Sequence, residues 1–149
     1  FSQNYFMFFD KLEKSNYFLE NILKTLDKSY DSRLMMHLLH SPVQDGGQWD
    51  MFVSLIEKYG VVPQSVMAES FQSSQSRMMN QFLTRKLREF AWTLRELNVR
   101  GKKLSDLRKE KEKMGLIEDE KQRLEKELTS RLEIFDTKQT KGSHFFLLC

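Results

Sequence analysis

Apolar positions recur at helical spacing along most of this chain. Between residues 2 and 27, Tyr5, Phe8, Phe9 and Leu12, then Tyr17, Leu19, Ile22, Leu23 and Leu26, follow one another mostly in steps of three and four. Such a stripe predicts an amphipathic helix with one buried face. Ser2 is placed to cap its start, and Ser15-Asn16 marks a point where it can kink or divide. A short second helix, "DSRLMMHLLH", opens at Asp31 or Ser32 and stops near Pro42, because a residue before proline disfavours helical geometry.

Next comes "DGGQWDMFVSLIEKYG", in which Trp49, Phe52, Val53, Leu55 and Ile56 form a third stripe that ends at Gly60. Asp45 or Gly46 is its expected N-cap. "VVPQSVMAESFQSSQS" reads as an irregular connector. A long helix is predicted from Arg77 to about Arg100, capped by Ser73, Ser74 or Ser76, with Met78, Phe82, Leu83, Leu87, Phe90, Ala91, Leu94 and Leu97 on its apolar side. Residues 102–135 then turn strongly charged. Leu124, Leu128, Leu132 and Phe135 leave a narrow apolar seam, as in a coiled-coil arm. Residues 137–149 read as a flexible tail. No segment alternates as a strand would, so the fold class expected from the pattern is mainly α.

Composition narrows this picture a little. The chain has 149 residues, 40% hydrophobic and 30% charged, with a net charge of +3. That suits a folded domain with a real core. The longest apolar runs are far short of the ~20 residues of a membrane span, so no membrane partner is expected. The chain starts at Phe1 in full amphipathic stride, and reads as beginning inside a longer sequence. The one cysteine, Cys149, excludes an internal disulfide and suits a reducing, cytoplasmic setting.

Reactive chemistry is scarce. Cys149 follows "FFLL" beside its own carboxylate, with no helix N-terminus or histidine to stabilise a thiolate, and is rejected as a nucleophile. His37 and His40 can share a helical face, but a zinc site needs further ligands that the sequence does not bring near. Neither a metal nor a cofactor is expected. Residues 85–113 hold eleven Lys and Arg against five acids, a local excess of six. Such a stripe could attract a nucleic-acid backbone without specificity. A solvated helix face accounts for it better, since no nucleic-acid motif accompanies it.

Three segments in order, "FSQNYFMFFDKLEKSNYFLENI", "DGGQWDMFVSLIEKYGVVP" and "AESFQSSQSRMMNQFLTRKLREF", resemble the bleomycin hydrolase / aminopeptidase C branch of papain-like cysteine peptidases. The likeness runs from Phe1 to about Met114. It implies the helical left-hand part of a papain-like α+β fold in residues 1–72. A helical insertion of the family would fill residues 73–114, with a charged arm over 115–136. In that family the nucleophilic Cys lies N-terminal to such a segment, and the catalytic His and Asn lie far C-terminal. No catalytic residue is therefore expected here. The resemblance carries over one site, the turn Asp45-Gly46-Gly47, which would edge the cleft and pair with an extended peptide substrate. Trp49 and Phe52 would then pack the following helix into the core. The resemblance also implies a homo-oligomer, hexameric in the family. The competing expectation is a non-catalytic helical interaction protein that oligomerises through its charged C-terminal helix.

Overall fold

The structure, a computed structural model, describes residues 1–114 together with Lys126, Thr129 and Ser130. Among the described residues all regular structure is helical: α1 (Gln3–Lys24), α2 (Arg33–His40), α3 (Trp49–Tyr59), α4 (Phe71–Ser74), α5 (Arg77–Val99) and α6 (Leu104–Met114). The arm expected over 115–136, its leucine seam, the tail and Cys149 lie outside them, apart from those three residues.

α1 is the central element, about 33 Å long at 1.5 Å per residue. Ser2 caps it, its hydroxyl accepting from the Tyr5 N–H at 3.1 Å. The expected break at Ser15-Asn16 does not occur, and α1 runs unbroken to Lys24. Ser15 Oγ donates to the Lys11 carbonyl at 2.7 Å, so its hydroxyl is satisfied inside the helix instead of competing with it.

The two halves of α1 feed two apolar clusters. Phe18, Leu19, Ile22 and Leu23 pack with Met35, Val43, Leu87, Ala91, Leu94 and Leu107, joining α1 to α2, α5 and α6. Tyr5 and Phe9 pack with Leu55, Val62 and Val66, and Phe9 stacks on Tyr59 at 4.0 Å. α3 ends at Gly60 as the sequence predicts. Gly60 sits at φ 71°, where glycine lacks the steric cost of a side chain, and its N–H donates to Ile56 at 2.8 Å. The connector after it is tied back to the start of α1: the Ser2 N–H donates to Val62, and Asn4 Nδ2 donates to Ala68. It also contains the single turn α4, which the sequence pattern does not predict.

Three side chains on α5 defy the helical stripes. Met78 and Phe82 were expected inward, yet they are 73% and 61% exposed. Arg95, counted with the solvated basic stripe, is 8% exposed instead. Its guanidinium donates to the Thr25 carbonyl at 2.8 Å and to the Lys28 carbonyl, and lies 4.4 Å from the Tyr30 ring. It thus closes the C-terminal end of α1 by tying the cap residue and the turn after it to α5.

Candidate substrate-cleft edge

The turn between α2 and α3 begins with Val43, buried in the larger core, and then rises to the surface through Asp45, Gly46 and Gly47. Two lysines one helical turn apart on α1 reach up to it. Lys11, itself buried, donates to the carbonyls of Val43 (3.1 Å) and Gln44 (3.3 Å) and to Asp45 Oδ1 (2.7 Å). Lys14 donates to the carbonyls of Gln44 (2.8 Å) and Gly46 (2.9 Å) and to Asp10 Oδ2 (2.8 Å). Each ammonium thereby engages three acceptors, matching its three N–H groups.

Asp45 ties the same turn to α5. Its carboxylate accepts from Ser76 Oγ at 2.7 Å and from Asn80 Nδ2 at 2.8 and 2.9 Å. The bonds from Lys11, Asn80 and Ser76 favour the ionised form and hold the Asp45 carboxyl far below the usual range. This arrangement corrects two expected caps. Asp45 and Gly46 do not cap α3, whose N-cap is Gln48 without a side-chain bond. Ser76 stands at the N-cap position of α5, but its hydroxyl goes to Asp45 and not to the helix.

Gly46 and Gly47 are exposed, and their amide N–H groups donate to no acceptor among the described residues. Neither takes positive φ; among the described residues the positive-φ glycines are Gly60 and Gly101. A Cβ at Gly46 would meet nothing within 4 Å, and one at Gly47 only Met51 Sδ at 3.7 Å. Neither the backbone conformation nor internal packing explains glycine here.

Beside the turn runs a groove of about 400 Å³, lined by Phe6, Lys11, Lys14, Gly47, Trp49 and Phe52 among others. Trp49 was expected in the core and is instead 73% exposed. Its ring rests against Phe52 (5.4 Å between centroids), which in turn meets Phe6 (5.0 Å). Trp49 is the first residue of α3 and stands at the groove, where no element among the described residues covers it. Phe52, one turn on, is half-buried as the stripe requires.

Other candidate groups fall elsewhere. His37 and His40 are exposed on α2, and no group of three potential metal ligands occurs among the described residues. The basic stripe is divided among separate tasks. Arg88 bonds the Leu39 and His40 carbonyls at the end of α2, Arg95 closes α1, and Lys111 pairs with Glu20 at 2.6 Å. No helix among the described residues is long and apolar enough to cross a membrane. The residues that position the turn (Lys11, Lys14, Ser76 and Asn80) carry no sequence signal, since each is 30 or more positions from the turn group it holds.

Residues 1–119 match the Peptidase C1-like family. The chain belongs to that family. Aminopeptidase C of Listeria monocytogenes is 55% identical over 109 residues, covering 73% of this chain and 25% of the relative. Cysteine proteinase 1, mitochondrial, of Saccharomyces cerevisiae is 50% identical over 95 residues, 63% of this chain and 20% of the relative. Among solved structures, PepW from Lactobacillus rhamnosis HN001 superposes with a TM-score of 0.74 at 55% identity, over 79% of this chain and 26% of that one. The chain thus spans a fifth to about a quarter of the length of these relatives. The mainly helical, papain-like fold class read from the sequence holds.

Proposed function

We propose that this chain forms the left wall of the substrate cleft in an aminopeptidase C-like cysteine peptidase, with Asp45-Gly46-Gly47 as the edge that pairs with an extended peptide backbone. The observation that carries this reading is a turn fixed from two sides while the exposed Gly46 and Gly47 amides find no acceptor among the described residues. Glycine that the chain itself does not need is explained by close approach from outside. The groove beside it offers the aromatic flank that an extended peptide side chain would enter.

The reaction of the complete enzyme would begin with a cysteine thiolate attacking the peptide carbonyl carbon. The C–N bond breaks, the amine leaves with a proton from histidine, and water hydrolyses the thioester. The one cysteine of this sequence is Cys149, which has none of the features of that nucleophile, so the chain supplies recognition and not chemistry. Met78, Phe82, Trp92 and Val99 share one outward face of α5, and this exposed apolar stripe supports an additional role in homo-oligomer assembly. The single cysteine is consistent with a cytoplasmic location.

The full 149-residue chain is expected to show no turnover of aminoacyl fluorogenic amides under reducing conditions. Turnover abolished by thiol alkylation would overturn this. In a chimera, residues 1–114 replace the matching segment of Listeria monocytogenes Aminopeptidase C. There, Gly47→Val should raise KM about tenfold or more while leaving the melting temperature nearly unchanged, because a Cβ at Gly47 makes only an ordinary contact, with the flexible Met51 side chain at 3.7 Å. An unchanged KM would remove the cleft-edge reading.

A further inference from the structure

Resting on that cleft-edge reading, we infer that Lys14 is a positioning residue for peptide binding, because it sets the orientation of the Gly46–Gly47 peptide plane. A peptide unit is planar, and no cis peptide bond occurs among the described residues. In a trans unit the carbonyl and the following N–H point in opposite directions. The Gly46 carbonyl is drawn down onto Lys14 Nζ at 2.9 Å. The N–H of Gly47 must then point away from α1, toward the side on which none of the described residues accepts it.

Lys14 is well placed to hold this orientation. Its side chain is 11% exposed, and Asp10, one turn earlier on α1, fixes the ammonium at 2.8 Å. The Gln44 carbonyl takes its third N–H at 2.8 Å. Two carbonyls two residues apart are thus pinned by one rigid donor, which leaves the intervening turn little freedom. Without the ammonium, Gly46 and Gly47 have no side chain to limit their rotation, and the plane is free to turn. A peptide would then have to order the turn as it binds, at the expense of affinity. Lys14 touches no reacting atom, so the loss should appear in binding and leave the chemical step intact.

The test uses the chimera and the full chain in parallel. In the chimera, Lys14→Met should raise KM about tenfold with kcat changed by less than about twofold, and Lys14→Arg should recover most of the loss. In the full 149-residue chain, the Gly47 amide order parameter from nitrogen-15 relaxation should fall from about 0.85 to below about 0.6 in Lys14→Met. Should Lys14→Met fold poorly, Asp10→Asn loosens the same ammonium without removing it and should give a smaller KM increase. If Gly47→Val raises KM but Lys14→Met does not, the positioning role is wrong and the cleft edge stands. If Gly47→Val leaves KM unchanged, the cleft-edge reading fails, and the peptide-binding role of Lys14 fails with it.

Discussion

Replacing Lys11 by Met keeps most of the aliphatic stem and removes the ammonium that anchors the turn. Its three acceptors are affected unequally. The Gln44 carbonyl retains Lys14, and Asp45 retains Ser76 and Asn80. The Val43 carbonyl has no second partner among the described residues, and Val43 is 1% exposed. A buried acceptor left unmet costs about 1–3 kcal/mol. The Asp45 side chain is 60% exposed, so solvent screening limits the worth of its ion pair to about 1 kcal/mol or less. Relief from burying an ammonium offsets part of this. The net loss comes to about 2 kcal/mol, which for a chain of this length lowers the melting temperature by about 6 °C. Thermal and urea unfolding of the full chain, followed by far-ultraviolet circular dichroism, would measure it. Lys58→Met is the control, because among the described residues Lys58 pairs only with Glu13, and its side chain is 59% exposed. It should cost less than about 1 kcal/mol. If Lys11→Met costs under about 0.5 kcal/mol, as an ordinary surface change does, the turn is not held as described.

Two further outcomes follow from the same geometry. Asp45 has a folded pKa depressed below its ordinary 3.8, so its contribution is present above that value and is lost as pH falls through the lower folded value. Asp45→Asn should therefore lower the melting temperature at pH 7 by an amount that shrinks only below about pH 4; a difference constant down to pH 2.5 would contradict this. Arg95→Met removes the bonds to the Thr25 and Lys28 carbonyls and should cost about 2–3 kcal/mol, whereas the exposed Arg85→Met should cost less than about 0.5 kcal/mol. Equal costs in urea titrations would show that Arg95 does not close α1.

Much of the fold was legible because helices are local. The stripe of Tyr5, Phe9, Leu19, Ile22 and Leu23 gives α1 its buried face, and it does so whatever the helix packs against. Ser2 and Ser32 cap helices through bonds to residues three positions on, and Gly60 ends α3 through its own backbone freedom. The failures fall where two local preferences compete. Asp45 was a reasonable cap for α3, but a lysine, a serine and an asparagine from other helices bid for the same carboxylate. Trp49 belongs to an apolar stripe, yet position along the helix decides its exposure as much as the face it occupies.

The sequence by itself determined the helices other than α4, most of their ends, the family and the turn on which the candidate site is built. Periodicity, caps and motifs are properties of neighbouring residues, within reach of a one-dimensional reading. The tertiary structure decided which charges are structural and which remain available. Lys11, Lys14, Ser76 and Asn80 converge on one turn from 30 to 35 positions away, and Arg95 leaves a basic stripe to bond a carbonyl 70 positions distant. Nothing in the identity of a lysine or an arginine says which carbonyl it will meet. That partner is fixed only when packed apolar faces bring the helices together and burial makes an unmet carbonyl costly.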